Sequence, residues 1–264
     1  MARRWAARRF TGGESHLKES KMNKGKKVLV IIAARGGSKG LPGKNLKHLK
    51  DKPLVAWPIV AALGASVVDR VIVSTDDKSI ADVATKWGAD VPFLRPSHLA
   101  SDTASSMDVV LHAIESIRAI GENYDYVILL EPTSPFTDSH DIDCAVKKLI
   151  ESRETADSIV GVADVESAHP DYLVRMDAGG IIKPFISIDF KNIRRRQELE
   201  SLYKFDGSIF VSDTNVFIDR KTFYHSRTLG YLMPKWKSID IDDKIDFICA
   251  QALMEQINEI KNMS

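Results

Sequence analysis

From Val28 onward, short runs of consecutive aliphatic residues alternate with longer stretches whose apolar positions recur at helical spacing. Residues 28–34, 70–75, 126–130 and 158–162 predict strands. The intervening stretches 55–65, 80–87, 105–120 and 142–152 predict helices. The strand runs are continuous in Val, Ile and Leu rather than alternating with polar residues, which fits strands covered on both faces. The rhythm is that of a parallel sheet between helical layers. Gly88 can take the left-handed position that ends a helix, and Asp141 stands where an N-cap would accept free amide protons. Past Val165 the rhythm breaks into a polar stretch containing Pro170, Gly179-Gly180, Pro184 and the triplet Arg194-Arg195-Arg196, so residues 166–204 read as an inserted arm. Strands resume at 208–212 and 231–233, and an amphipathic helix over 244–260 closes the chain.

A length of 264 residues with 44% hydrophobic residues suits one large domain. Lys plus Arg, 37, nearly cancels Asp plus Glu, 36, which argues against a protein that coats nucleic acid or an anionic membrane. The run 28–34 is too short to cross a bilayer. Cys144 and Cys249 fall in helical stretches and read as buried small apolar residues, consistent with a reducing cytoplasm. The seven histidines show no zinc-like spacing. Residues 1–26 stand apart: Arg3, Arg4, Arg8 and Arg9 precede any acid, and apolar periodicity is missing. They read as a disordered or artefactual extension, either an Arg-rich transit segment or an upstream start or cloning remnant ahead of a natural start at Met22.

Chemistry concentrates first in the segment Ala33-Ala34-Arg35-Gly36-Gly37-Ser38-Lys39-Gly40-Leu41-Pro42-Gly43-Lys44-Asn45, directly after the first strand. Glycines let backbone amides approach phosphate oxygens, and Arg35, Lys39 and Lys44 supply charge for a triphosphate and a departing pyrophosphate. Gly43-Lys44 is followed by Asn45 where a Walker loop needs Ser or Thr, and no Gly-x-Gly-x-x-Gly occurs, which sets aside both common nucleotide fingerprints. A flexible turn with solvated charges is the plain alternative. Arg95-Pro96 and the run 101–106 add a guanidinium and hydroxyls, although Ser105 alone reads as an N-cap. In Ser238-Ile239-Asp240-Ile241-Asp242 the two acids stand two apart, on one face of an extended segment. That spacing suits a Mg²⁺ pair or an acidic cap for the last helix equally well.

The loop at 33–45 resembles the signature of the CMP-sialic acid synthetases and of bacterial relatives that activate legionaminic and similar acids. Further matching stretches follow in order: 70–76, Leu94-Arg95-Pro96, 99–106, Pro132-Thr133-Ser134-Pro135 and 238–242. The resemblance spans about 27–257. It implies an α/β, three-layer, Rossmann-like nucleotidyltransferase fold with a mainly parallel sheet and a dimerisation arm inserted at about 166–204. It implies transfer of CMP from CTP to the anomeric hydroxyl of a nine-carbon acidic sugar (sialic acid, KDN or legionaminic type), releasing pyrophosphate. Mg²⁺, or Mn²⁺, would be the ion, and the protein a homodimer.

Residue by residue, the resemblance assigns nucleotide binding to Ala33, Arg35, Gly36, Ser38, Lys39, Lys44, Asn45, Arg95 and Ser106. Metal binding falls to Asp240 and Asp242, and catalysis to Arg35, Lys44 and Asp240. The sugar is expected beside Glu131, Arg196, Lys204, Asp206 and Phe210. Three of these depart from the family pattern, which carries glutamine at the position of Glu131, often asparagine at Asp206 and tyrosine at Phe210. Two added carboxyls and a lost phenol shift the expectation from N-acetylneuraminate to a related acid with other substituents. Transfer to an eight-carbon keto-acid, use of another nucleotide, and a non-catalytic nucleotide-binding module are the competing readings.

Overall fold

Along the first strand, β1 (Val28–Ala33), Val28, Val30 and Ile32 face one apolar layer while Leu29 and Ile31 face the other, so the positions up to Ile32 are buried by turns on opposite sides. This computed structural model describes residues 25–101, 103–186 and 194–263. Residues 1–24 of the proposed extension lie outside the described residues, as does the side chain of Arg196. After β1 come a two-residue antiparallel ribbon, β2 (His48–Leu49) and β3 (Lys52–Pro53), then α1 (Ala56–Gly64), β4 (Arg70–Ser74), α2 (Lys78–Lys86), α3 (Ser106–Ala119), β5 (Tyr126–Leu130), α4 (Ser139–Glu151) and β6 (Ser158–Asp164). A hairpin of β7 (Val174–Met176) and β8 (Ile182–Pro184) stands apart in a sheet of its own. The chain then runs through β9 (Tyr203–Asp213), α5 (Thr214–Arg220), β10 (Thr228–Leu232) and α6 (Lys244–Met263).

The main sheet has six strands in the order β10-β6-β9-β5-β1-β4. All pairings are parallel except the two made by β9, which runs against β5 and β6. The expected mainly parallel, helix-covered sheet is therefore present. Ile59 and Ala62 of α1, Ile80 of α2 and Val146 of α4 cover one face; Val110, Ile114 and Ile117 of α3 with Phe217 of α5 cover the other. A third apolar cluster lies under the loops: Leu41, Leu49, Leu54, Phe136 and Ile241 pack on Ala250 and Met254 of α6.

Several expectations change. The N-cap of α4 is Asp138, whose carboxylate accepts from the amides of His140 and Asp141; Asp141 is the third helical residue and closes the capping box by accepting from the Asp138 amide. Cys249 is exposed and Cys144 half-buried, because the face of α6 that carries Cys249 points away from the third cluster. The strand expected at 208–212 begins at Tyr203: beyond a bulge between Val160 and Val162, β6 keeps pairing through Ala163 with Lys204. Lys204 therefore belongs to the sheet, and the insertion ends before it. β10 lies at 228–232 rather than 231–233, and α5 and the β2–β3 ribbon were not foreseen.

Candidate active site

Three parallel strands end side by side: Ala33 of β1 is level with Ser74 of β4, and Ile32 with Leu130 of β5. Because the chain passes from β1 to β4 on one side and later to β5 on the other, the end of β1 is a topological switch point, where open α/β sheets form their crevice. Antiparallel β9 brings its first residues to the same edge. A cleft of about 360 Å³ opens there, and it gathers Ala33, Arg35, Ser38, Lys39, Lys44, Asn45, Arg95, Ser106, Glu131, Asp240 and Asp242 from segments far apart in sequence.

The glycine-rich loop is shaped by specific contacts. The Gly36 amide donates to Asp76 Oδ1 (3.0 Å), and a Cβ on Gly36 would stand 2.9 Å from that of Asp77. Gly36 thus fits the loop against the end of β4 and does not itself line the cleft. Asn45 donates from Nδ2 to the Arg35 carbonyl (2.8 Å), closing the loop on itself. Gly43, at φ 65°, turns the chain into the short helical turn Lys44–Leu46. Gly40 lies so close to the Asp242 carbonyl oxygen that a Cβ there would overlap it. Arg35 reaches across the mouth to the Ser101 carbonyl (3.2 Å).

On the opposite wall, Ile239 and Ile241 point into the third apolar cluster, so Asp240 and Asp242 turn to the cleft. The Ile241 amide donates to the Thr133 carbonyl (2.9 Å), and Lys44 Nζ donates to the Ile241 carbonyl (2.9 Å) and lies 3.5 Å from Asp242 Oδ1. The capping alternative falls to other residues. Asp243 accepts from the amides of Ile245 (2.7 Å) and Asp246 (3.0 Å), while Asp246 accepts from those of Asp242 and Asp243 (3.0 Å each). The carboxylates of Asp240 and Asp242 take no part in that cap. Burial pushes the Asp240 carboxyl above its usual range, with Asp242 adding to the rise while a hydrogen bond from Thr133 and the charge of Lys44 oppose it. Such a carboxylate gains from a cation.

Arg95 is 6% exposed and fixed by Ser74, donating from Nε to the hydroxyl (3.1 Å) and from Nη2 to the carbonyl. Its burial pulls the guanidinium downward, and its cleft-facing part is a fixed donor array for a polar planar edge. Ser105 caps α3 by accepting from the Met107 amide (3.1 Å). Ser106, the next residue, points into the cleft and donates to Glu131 Oε1 (3.4 Å). Burial, then the neighbouring Asp240, pushes the Glu131 carboxyl up.

Beside this cleft, with Asp240 in the wall between, lies a second of about 470 Å³ lined by Lys204, Asp206, Gly207 and Ser238. Asp206 is buried; its Oδ1 accepts from the amide (3.0 Å) and hydroxyl (2.6 Å) of Ser208, and its Oδ2 has no protein partner. The Ser134 hydroxyl, also buried and unpartnered, lies near Gly207. Phe210 is a correction: it does not line either cleft but packs in the core against Phe223 (5.6 Å between ring centroids). The phenol nearby is that of Tyr224, whose ring meets Phe210 edge-on and lies 4.4 Å from Phe205. Burial pushes its pKa up, and the charges of Glu131 and Asp206 add to the rise. Tyr224, Thr133 and Ser134 were not named as site residues by the sequence reading, and Gly40 only as part of the glycine-rich loop; the Pro-Thr-Ser-Pro run gave the signal for Thr133 and Ser134, and nothing did for Tyr224.

A family model described as cytidylyltransferase matches residues 29–260. Over 231 residues the chain is 38% identical to a CMP-N,N'-diacetyllegionaminic acid synthase of Legionella pneumophila, covering 87% of this chain and 97% of that one. It is 37% identical over 235 residues to an N-acylneuraminate cytidylyltransferase of Escherichia coli, covering 89% of this chain but 54% of that protein. The chain therefore spans about half the length of the second relative. Among solved structures, a CMP:2-keto-3-deoxy-manno-octonic acid synthetase complexed with CTP superposes with a TM-score of 0.63 at 18% identity, over 87% of this chain and 99% of that chain, a likeness of fold. No helix among the described residues is long and apolar enough to cross a membrane.

Proposed function

This chain belongs to the cytidylyltransferase family, and we propose that it transfers CMP from CTP to the anomeric hydroxyl of a nine-carbon acidic sugar, with Mg²⁺ held by Asp240 and Asp242. The observation that carries the reading is the convergence of three loop cations, Arg35, Lys39 and Lys44, with two cap-independent aspartates across one cleft. Mg²⁺ is commonly bound by one or two carboxylates plus substrate phosphates, so the pair suffices without a third protein ligand. Bound there, the ion would neutralise phosphate charge and polarise the α-phosphate.

In this reading the cytosine edge faces Arg95 and Ser106, and the triphosphate lies along the glycine-rich loop. Arg35, Lys39 and Lys44 neutralise its oxygens. The oxygen of the sugar hydroxyl forms a bond to the α-phosphorus as the bond to the bridging β-phosphate oxygen breaks; its proton passes to solvent, and pyrophosphate leaves with the charge these side chains balance. Because such chemistry is mostly positioning and charge, no covalent intermediate is needed.

The sugar occupies the side of the cleft bounded by Glu131 and Asp206. The partnerless Oδ2 of Asp206 suits a substrate that offers an amide or hydroxyl donor there, and burial disfavours a charged Glu131 beside it. We read this, with the similarity to the Legionella enzyme, as favouring a legionaminic-type acid over N-acetylneuraminate. Lys204, and Arg196 from the insertion, supply cations for the sugar carboxylate.

The hairpin β7–β8 exposes Met176 (71%), Ile181 (63%) and Phe185 (48%), an apolar surface suited to a second copy of the chain, so a homodimer with the insertion as its arm belongs to the same reading. The two unpaired cysteines suit the cytoplasm.

The test is pyrophosphate release with CTP and Mg²⁺ against N-acetylneuraminate, its deaminated analogue, legionaminate, pseudaminate and the eight-carbon acid. Release with a nine-carbon acid, best with legionaminate, is expected; silence across the panel while CTP still binds would overturn it. Asp240→Asn should abolish turnover and leave the thermal midpoint near that of the wild type.

A further inference from the structure

Among the described charged side chains, Lys237 stands out for being buried, 7% exposed, outside the cleft, and untouched by the reaction outlined above. It ends the short turn Lys235–Lys237 and stands three residues before Asp240. Its Nζ lies 2.6 Å from Asp141 Oδ2 and 2.8 Å from Asp138 Oδ2, the two carboxylates of the α4 capping box. Tyr231, at the end of β10, donates to the other oxygen of Asp141 (3.3 Å). The ammonium also lies 5.3 Å from the ring of Trp236, which packs edge-on against Phe136.

We propose that Lys237 is a positioning residue for the nucleotidyl transfer: by clamping the chain before Asp240 onto the N-terminus of α4, it fixes the Asp240–Asp242 segment at its working distance from the Thr133 loop. The inference rests on the reading of Asp240 and Asp242 as the metal pair.

The geometry supports it from both sides. α4 follows on from the Pro132–Pro135 turn, and Thr133 in that turn accepts from the Ile241 amide (2.9 Å). The same two pieces of chain are thus joined twice, once at the cleft by Thr133 and once beneath it by Lys237. A hydrophobic residue could fill the space beneath, as buried ion pairs are often replaceable at no cost to stability. What it could not supply is a directional link to two carboxylates at once. Burial alone would raise the Asp138 carboxyl, yet the hydrogen bond and charge of Lys237 outweigh it and hold that group below its usual range. The link is therefore a charged one.

The experiment compares Lys237→Met, Lys237→Arg, the charge-free triple variant Lys237→Met/Asp138→Asn/Asp141→Asn, and Asp240→Asn. The readouts are Mn²⁺ binding followed by electron paramagnetic resonance with CTP and no sugar, and the Mg²⁺ dependence of pyrophosphate release. Residues that orient metal ligands commonly change affinity by about 10–100-fold. Lys237→Met is expected to weaken Mn²⁺ binding about tenfold and to raise the Mg²⁺ needed for half-maximal rate by the same factor, while KM for CTP at saturating metal stays within about twofold. Lys237→Arg should recover most of the affinity.

Should Lys237→Met fail to fold, the triple variant, which leaves no buried charge unpaired, is expected to show the same weakened metal binding. A lowered thermal midpoint with Mn²⁺ affinity unchanged in either folded variant overturns the proposal and leaves a merely structural lysine. Asp240→Asn separates the two readings. If it loses Mn²⁺ while Lys237→Met does not, only the positioning role falls; if it binds Mn²⁺ like the wild type, the metal reading falls and takes this one with it.

Discussion

Gly40 offers a clean test of how tightly the two walls of the cleft are set. A methyl group on Gly40 would sit against the Asp242 carbonyl oxygen and 3.3 Å from its carbon, about 1 Å inside ordinary contact with the oxygen. The obstacle is main chain rather than the tip of a flexible side chain, so the strain cannot be relieved by rotating a torsion. Gly40 is not held at positive φ, so alanine suits its backbone conformation and the effect is purely one of space. Either the loop or the Asp240–Asp242 segment must retreat by about 1 Å, and a displacement of that size commonly costs about a hundredfold in rate.

Overpacking of this kind costs about 1–3 kcal/mol of stability, or a fall of roughly 2–12 °C in thermal midpoint for a domain of this size. Gly40→Ala should therefore fold, melt somewhat lower, and lose about two orders of magnitude in kcat/KM for pyrophosphate release. The loss should fall on kcat and on the Mg²⁺ requirement, since Arg95 and Ser106, the proposed cytosine contacts, are not what Gly40 meets. A variant within threefold of wild-type kcat/KM would show that the walls move freely and that their contact has no part in positioning.

Other consequences follow from single contacts. The Glu131 carboxyl is raised above its ordinary value of 4.5 by burial and by Asp240. Its stabilising contribution is fully present below that ordinary value and is lost as pH rises through the raised one. Glu131→Gln should therefore melt higher than wild type at neutral pH, with the gain vanishing toward pH 4.5, as differential scanning calorimetry across pH would reveal; a lower midpoint at neutral pH would sink the assignment. Asp243→Ala should lose about 1 kcal/mol by removing the α6 cap, with Mg²⁺ dependence unchanged, while Asp242→Asn should do the reverse; the opposite pattern would return the pair to a capping role. A Cβ on Gly161 would overlap Ser208 Oγ and Asp206 Oδ1, two side-chain ends that can yield. Gly161→Ala is thus expected to raise KM for the sugar several-fold with KM for CTP unchanged, and equal effects on both would argue against Asp206 as a sugar contact.

The layered fold was legible because its strands are buried on both faces and so spell continuous aliphatic runs; Tyr126–Leu130 matches the expected limits. Edge strand β10 was misplaced because Gly230 interrupts its strand signal, and the strand exists through its parallel pairing with β6. The insertion was expected to run to about Lys204, and β9 begins at Tyr203, where Lys204 pairs with Ala163 beyond the bulge in β6. That the glycine-rich loop lines the cleft was legible because its glycines and cations stand close together in sequence, directly after a strand.

Acidic residues show where local reading stops. Asp138, Asp141, Asp240, Asp242, Asp243 and Asp246 all stand near helix starts, and spacing alone cannot distribute the roles of cap, ion pair and metal ligand among them. Asp240 and Asp242 are singled out because the isoleucines between and before them are drawn into the cluster on α6, which turns both carboxylates toward the cations of the loop. Asp141 is claimed by Lys237, ninety-six positions away, and Asp243 by the amides of its own helix. The same logic moves the expected phenol from position 210 to Tyr224. The side chain of Phe210 is committed to the core by the pleat of β9, so an aromatic arriving from beyond α5 stands instead near Glu131 and Asp206. Function here is assigned by which partner reaches each group first, and those partners are set by the order of strands, a property of the whole sheet rather than of any segment.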